Sequence, residues 1–301
     1  MSNFEKVSDK IQLINIKSGR KKITWVNIHD AGKAEIQYLR KKYKFGLQHL
    51  EKSSAKATTQ RTLLENTDDY LFMILHFPVY FKGNITAGEI NFFVNKKVIV
   101  TIHDNNVSTV NSYFNLLKKD EDEVKKHGIY EPANLLYLIM ERLMQSCYSL
   151  LDQNSVRIAE VEDQIFDQES QKNAVSNILG LRRNIINMRR IMQNHKNIIK
   201  KSIDYFDYKK NKALKKEFGD LLDSSKRIWE NLENQKEMVE VLSNTNDALL
   251  NYHISDIMKT LTLFSVIVFP LTLLAAIFGM NTVKGMPFMD TENGFWIIIG
   301  I

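Results

Sequence analysis

Along the first third of the chain, short segments alternate between apolar and polar residues. "KIQLINI" (10–16) and "KITWVNIHD" (22–30) carry the two-residue period of half-buried strands, and "DDYLFMILHFPVYF" (68–81) is a longer strand with a near-continuous apolar run. "GEINFFVNKKVIVTIHD" (88–104) predicts two strands joined by a tight turn at Asn95-Lys96-Lys97. "GKAEIQYLRKKYKF" (32–45) and "VSTVNSYFNLLKK" (107–119) have the helical period instead. Strands mixed with helices predict an α+β domain over residues 1–125. A charged linker, "KKDEDEVKKHG" (118–128), follows, and beyond it the pattern predicts helices alone.

Residues 126–210 predict an antiparallel helical hairpin. Pro132 opens the first helix, where proline is tolerated because the first amides of a helix have no partner anyway. That helix runs to Phe166, and "NAVSNILGLRRNIINMRRIMQNHKNIIKKSI" (173–203) predicts a second continuous one. The first ends acidic and the second is rich in Arg and Lys, so the hairpin is expected to bring opposite charges together. A third helix extends from about Ala213 to Phe278, with Ile228, Leu232, Val239, Leu242 and Leu249 recurring at steps of three, four or seven. At about 1.5 Å per residue it would be on the order of 100 Å long. Residues 211–256 are therefore expected to form a stalk, continuing into a transmembrane helix over 257–279.

The membrane reading rests on charge. Residues 260–283 contain no charged side chain, and about 20 apolar residues suffice to span a bilayer. Pro270 interrupts this run. In water it would cost a helix about 3 kcal/mol, but in a membrane bundle neighbouring groups can satisfy the carbonyl it frees. A second apolar run, "GFWIIIGI" (294–301), predicts the beginning of a second transmembrane helix, truncated in this sequence, with 280–294 as a loop between spans. The large basic part lies before the first span, whereas the loop offers Lys284 against Asp290 and Glu292, so the N-terminal domain is expected to be cytoplasmic and the loop outside. The polar "MSNFEKVSDK" start predicts no cleavable signal peptide.

One face of the first span carries Met258, Thr262, Ser265, Phe269, Thr272 and Ala276 at alternating steps of four and three. Small and hydroxylated residues suit either close helix packing or the wall of a pore shared by several copies. Composition adds less. The formal charge is +6, from 41 Lys and Arg against 35 Asp and Glu. No nucleic-acid-binding spacing accompanies it, so no nucleic-acid partner is expected. The single cysteine, Cys147, excludes a disulfide within the chain and predicts a buried thiol. No phosphate loop, HExxH or CxxC motif is present, and no enzymatic activity or bound cofactor is expected.

The segment "MKTLTLFSVIVFPLTLLAAIFGMN" (258–281) resembles the CorA-type magnesium transporters, a two-span family with a Gly-Met-Asn signature after the first span. "PLT" nine residues before "GMN", the "MP" at Met286-Pro287 and "TWVNI" at 24–28 fit the same pattern. The resemblance implies a homopentamer in the cell membrane, with the first span lining a pore for divalent cations and the second packing outside it. Asn281 would stand in the outer selectivity ring, shaped by Gly279 and Met280. Thr272 would be a polar pore position and Ala276 a small one, with Phe269, Leu261 and Met258 forming an apolar constriction. Mg²⁺ would be the transported ion, and a regulatory one as well if the metal sensor of some relatives were kept. For that sensor the matching residues are Glu51 and Asp220, with Lys52 standing where a second carboxylate is expected. Asp290 and Glu292 are candidates for attracting cations to the outer mouth. A membrane-tethered scaffold that uses the stalk to oligomerise is the alternative class, and Co²⁺, Ni²⁺ or Zn²⁺ are the alternative ions.

Overall fold

The computed structural model describes residues 3–18, 21–54, 61–104, 106–119, 128–167, 171–206, 212–279, 288 and 291–300. The chain divides into two units, Met1–Ser243 and Asn244–Ile301. The first unit is built on a seven-stranded sheet: β1 (Asn3–Lys6), β2 (Ile11–Ser18), β3 (Lys21–His29), β4 (Leu63–Asn66), β5 (Leu71–Phe81), β6 (Asn84–Val94) and β7 (Val98–His103). Their order is β1-β2-β3-β7-β6-β5-β4. The β3–β7 pair is parallel, with Trp25 opposite Ile99, and the other pairs are antiparallel. β5 and β6 are joined through Lys82 and Gly83, at φ 47° and 85°. Two successive left-handed residues match the twist of a tight hairpin, and Gly83 adopts that conformation without steric cost.

Both faces of the sheet are covered, so β5 shows a continuous apolar run from Leu71 to Leu75 instead of alternation. On one face α1 (Lys33–Tyr43) and α2 (Leu47–Ser54) pack Ile36, Leu39 and Leu50 against Val26, Ile28, Phe72, Ile74, Phe93 and Val100. The opposite face receives α3 (Ser108–Lys119), α4 (Pro132–Phe166) and α5 (Gln171–Met192). There Trp25, fully buried, meets Tyr113 and Phe114 at ring-centroid distances of 5.7 and 5.0 Å. Its indole N–H donates to Thr101 Oγ1 at 3.0 Å, and the Thr101 hydroxyl donates to Asn27 Oδ1 at 2.7 Å. Asn27 Nδ2 then donates to Asn111 of α3 at 2.8 Å. A polar line thus crosses the apolar interior with its members satisfied by one another. α5 is pinned to the sheet by a different device. Asn184 Oδ1 accepts from the Ile85 amide at 3.0 Å, and Asn187 Nδ2 donates to the Ile85 carbonyl at 3.1 Å.

The expected continuous second helix is not continuous. α5 ends at Met192, and a turn at Gln193-Asn194 starts α6 (His195–Tyr205). His195 occupies the break, fully buried, with its ring edge-on to Phe77 of β5 at 4.8 Å. The turn re-aims the chain so that Ile198, Ile199 and Ser202 are buried as well. Burial pushes the His195 imidazole down to about 4, opposed in part by the Met192 and Ile191 carbonyls and reinforced by His76. The sign of the pH effect follows. Above about pH 6.5 the ring is neutral in both folded and unfolded chains and contributes no pH dependence. Between about 6.5 and 4 the unfolded chain takes up a proton that the folded chain refuses, so stability falls as pH falls, by up to about 3 kcal/mol. His195→Leu is expected to flatten that part of the curve in denaturant unfolding between pH 7 and 4. An unchanged slope would show that the ring does not carry the acid sensitivity.

The third helix, α7, runs from Lys212 to Phe278 as expected. Within the first unit its buried positions include Leu214, Phe218, Leu221, Ser225, Ile228, Leu232, Gln235, Val239 and Leu242, at alternating steps of four and three. That is a heptad seam, and it packs on the helical hairpin. Gln235 is buried in the seam, and its amide donates to the Leu151 carbonyl and to Ser155 Oγ of α4 at 2.8 and 2.9 Å. Arg189 of α5 pairs with Glu233 and lies over the Trp229 ring at 5.3 Å. The hairpin's basic helix therefore directs this charge to the stalk. Cys147 is buried in α4, as expected, and burial pushes its thiol well above the usual range, which leaves it protonated and unreactive. Among the described residues after β7 no strand occurs, and α8 (Gly294–Gly300) ends the described chain.

Candidate functional site

In the second unit α7 carries the charge-free run. Among the described residues it is the one helix long and apolar enough to cross a membrane, and that stretch is not buried within the chain. Leu261, Phe264, Val266, Phe269 and Leu273 are each more than half exposed, Phe269 to 71%. A continuous apolar surface of this size requires lipid or other protein around it. Trp296 of α8 is 70% exposed, an amphipathic ring of the type that sits at membrane interfaces.

The hydroxyl stripe has a definite geometry. Thr262 Oγ1 donates to the Met258 carbonyl at 2.8 Å, Ser265 Oγ to Leu261 at 2.9 Å, and Thr272 Oγ1 to Val268 at 2.8 Å. Each hydroxyl spends its one proton on the carbonyl four residues back. Its oxygen lone pairs remain as acceptors. Such a stripe can receive hydrogen bonds from water, including water bound to a cation, and offers no proton that would repel the ion. Met258, Leu261 and Phe269 share the sector and are exposed, with Thr272 and Ala276 further along. Pro270 has no N–H, so the Val266 carbonyl loses its usual helical partner inside this run.

The helix stops where the sequence suggests. The Gly279 amide donates to Ala275 O at 2.9 Å, completing the last turn after Phe278. Met280, Asn281 and Asp290 lie outside the described residues; Glu292 is exposed. Of the expected selectivity ring, the structure therefore describes the Gly279 end.

The candidate regulatory residues lie in the first unit, where Glu51 on α2 and Asp220 on α7 are both exposed. Among the described residues no group of three or more His, Cys, Asp or Glu is placed to hold a metal ion. Beside Glu51 stands a cluster that sequence reasoning missed. Lys52 Nζ contacts Glu65 Oε1 of β4 at 2.8 Å, and His49 Nε2 contacts Glu65 Oε2 at 2.5 Å. His49 Nδ1 lies 2.7 Å from the Tyr70 hydroxyl, which also accepts from the Gly46 amide at 2.9 Å. The Lys52 ammonium, with help from His49, holds the Glu65 carboxyl below the usual carboxylate range. Both oxygens of Glu65 are thus occupied by side chains of α2. No periodicity announces such a contact, because it joins two short elements of different type, a helix and a strand.

The profile described as CorA-like Mg2+ transporter protein matches residues 20–301. The chain is 24% identical to YfjQ of Bacillus subtilis over 277 residues, 92% of this chain and 84% of that one. It is 22% identical to the cobalt/magnesium transport protein CorA of Methanocaldococcus jannaschii over 306 residues, 98% of this chain and 90% of that one. The solved structure of the CorA magnesium transporter from that archaeon superposes with a TM-score of 0.81 at 18% identity, covering 98% of this chain and 94% of the other. The mixed α/β sheet domain, the long helix with its apolar C-terminal half and the matched span of residues together place this chain in the CorA-like family of ion transporters.

Proposed function

We propose that this chain is the subunit of a homopentameric membrane channel for divalent cations, with Mg²⁺ as the principal ion. The observation that carries the reading is the stripe of three hydroxyls on a charge-free helix, each with its proton turned back into the helix. One helix cannot enclose a pore, so five copies would place the stripe around an axis. Asn281 would stand at the outer mouth, with Gly279 and Met280 shaping the turn. Mg²⁺ dehydrates reluctantly and is bound through hard oxygen ligands. Neutral amide and hydroxyl oxygens can bind its water shell without holding the ion so tightly that conduction stops. Phe269, Leu261 and Met258 supply an apolar constriction that can close by dewetting. In this arrangement residues 1–256 are cytoplasmic, the second span begins near residue 295, and Asp290 and Glu292 raise the local cation concentration outside. Glu51 and Asp220 would bind a regulatory cation across a subunit boundary.

Co²⁺ is a second cargo, favoured because the archaeal relative is named for cobalt and magnesium. Proteoliposomes holding the full chain and a Mg²⁺-sensitive dye test the reading. Mg²⁺ influx is expected, with competition from Co²⁺ and little from Zn²⁺. Absence of influx into vesicles containing the assembled oligomer would favour the tethered scaffold. Thr272→Val keeps the side-chain shape and removes the acceptor. It is expected to lower Mg²⁺ influx by a few-fold with the oligomer intact on size exclusion, and unchanged influx would remove Thr272 from the pathway.

A further inference from the structure

A cleft of about 1020 Å³ opens in the first unit at the end of the sheet where the parallel interior strands β3 and β7 begin. Small-molecule sites occupy about 300–1,000 Å³, so this one lies at the upper end of that range. Its chemistry is uneven in a definite way. Lys22 at the start of β3 and Lys96 and Lys97 in the β6–β7 turn line the cleft, and among the described residues the lining carboxylate is that of Glu131. None of these three lysines forms an ion pair with a described carboxylate. The turn that carries two of them is held by Asn95, whose Oδ1 accepts from the Lys97 and Val98 amides at 2.8 and 2.7 Å. The Lys97 carbonyl accepts from the Thr24 amide at 2.9 Å, which fixes the turn to β3. The lysine backbones are therefore ordered by the sheet. The N-terminal end of α4, the positive end of a 35-residue helix, reaches the same cleft through Pro132 and Ala133.

Opposite in character are the rings of Tyr130, Tyr205 and Phe206, which also line the cleft. Tyr130 is 64% exposed despite its size. Phe206 is braced from behind by Phe218 of α7 at 5.6 Å and by Tyr205 at 5.2 Å. A bare anion would use the ammonium groups and leave these faces wet. A ligand with phosphate at one end and a flat ring at the other uses both.

We propose that this cleft binds a nucleoside phosphate, with its phosphates among Lys22, Lys96 and Lys97 and its base against Tyr130. The cleft is lined by residues of the first unit and the proposed ion path by residues of the second, so the test reads binding and not transport. Inorganic pyrophosphate and inositol phosphate headgroups share the anionic chemistry but have no aromatic face, which distinguishes the sources. The full chain in detergent, free of divalent ions in EDTA, is titrated calorimetrically with ADP, pyrophosphate and inositol trisphosphate. ADP is expected to bind at least about ten-fold more tightly than pyrophosphate, since stacking on an aromatic side chain contributes roughly that factor. Tyr130→Ala is expected to remove that advantage and leave pyrophosphate unchanged, and Tyr130→Phe to keep it. The double variant Lys96→Gln/Lys97→Gln is expected to weaken both ligands about ten-fold or more, by loss of two charge-assisted contacts. All of these residues are at the surface or the rim, and an unchanged melting temperature checks the fold of each variant. Equal affinity for ADP and pyrophosphate, tighter binding of inositol trisphosphate, or no heat with millimolar ADP would each overturn the proposal.

Discussion

Asn281→Ala is expected to reduce Mg²⁺ influx into proteoliposomes by at least about ten-fold, the largest functional effect of any single substitution considered for this chain. The side-chain amide stands three residues after Phe278, the last residue of α7, and five copies would present five amide oxygens to one hydrated ion. Loss of a hydrogen bond to a charged or ion-bound group costs about 1.5–3 kcal/mol, and each 1.4 kcal/mol is ten-fold. Alanine also removes bulk, so the control is selectivity. If the ring selects by hydrogen-bonding the ion's water shell, Asn281→Asp should retain influx and shift competition towards ions that shed water more readily. Influx equal to the unsubstituted protein in the alanine variant, at matched oligomer content, would remove Asn281 from the selecting position.

Trp25→Ala is expected to lower the stability of the full chain by about 4 kcal/mol, within the range for truncating a buried aromatic. Trp25 is fully buried, touches Tyr113 and Phe114 of α3, and donates to Thr101. Its removal opens a cavity between the central strand β3 and α3, and it leaves the Thr101 hydroxyl without its donor partner. For a unit of this size the loss corresponds to a fall in melting temperature on the order of 10 °C, read by circular dichroism in detergent. Trp25→Phe, which keeps most of the ring volume and loses the indole N–H, is expected to cost about 1 kcal/mol beyond its smaller cavity. A melting temperature within 2 °C of the unsubstituted chain for Trp25→Ala would show that α3 collapses into the space, an outcome at odds with the packed ring contacts.

Much of the fold was legible because its elements announce themselves by period. β2, β3, β6, β7, α1, α3, α4 and α7 follow patterns of two or three-and-a-half residues long enough to stand out from their flanks, and β5 stands out as a continuous apolar run. β1 (NFEK) and β4 (LLEN) did not, since four residues with mixed polarity form strands only because a partner strand supplies the hydrogen bonds. α2 is eight residues long, and its apolar contribution rests mainly on Leu50. The break at Gln193-Asn194 was invisible for another reason. Apolar residues continue across it at Ile191, Met192, Ile198 and Ile199, no Gly or Pro marks it, and the turn is selected by burying His195 against Phe77. The apolar end of α7 was legible as a charge-free run, because membranes impose length and composition directly on sequence. The His49–Lys52–Glu65 cluster depends on where α2 and β4 meet in space.

That cluster has a consequence for how the sheet domain can respond to its surroundings. A free ion occupies a carboxylate according to mass action, so its occupancy reports its concentration. The counter-ion of Glu65 is instead a side chain thirteen residues away, present at an effective concentration that the fold itself sets. Its occupancy is set by the fold and not by the supply of a soluble ion. With both oxygens of Glu65 already engaged, this carboxylate is a latch closed from within the chain, and a soluble cation reaches it only by displacing Lys52 and His49.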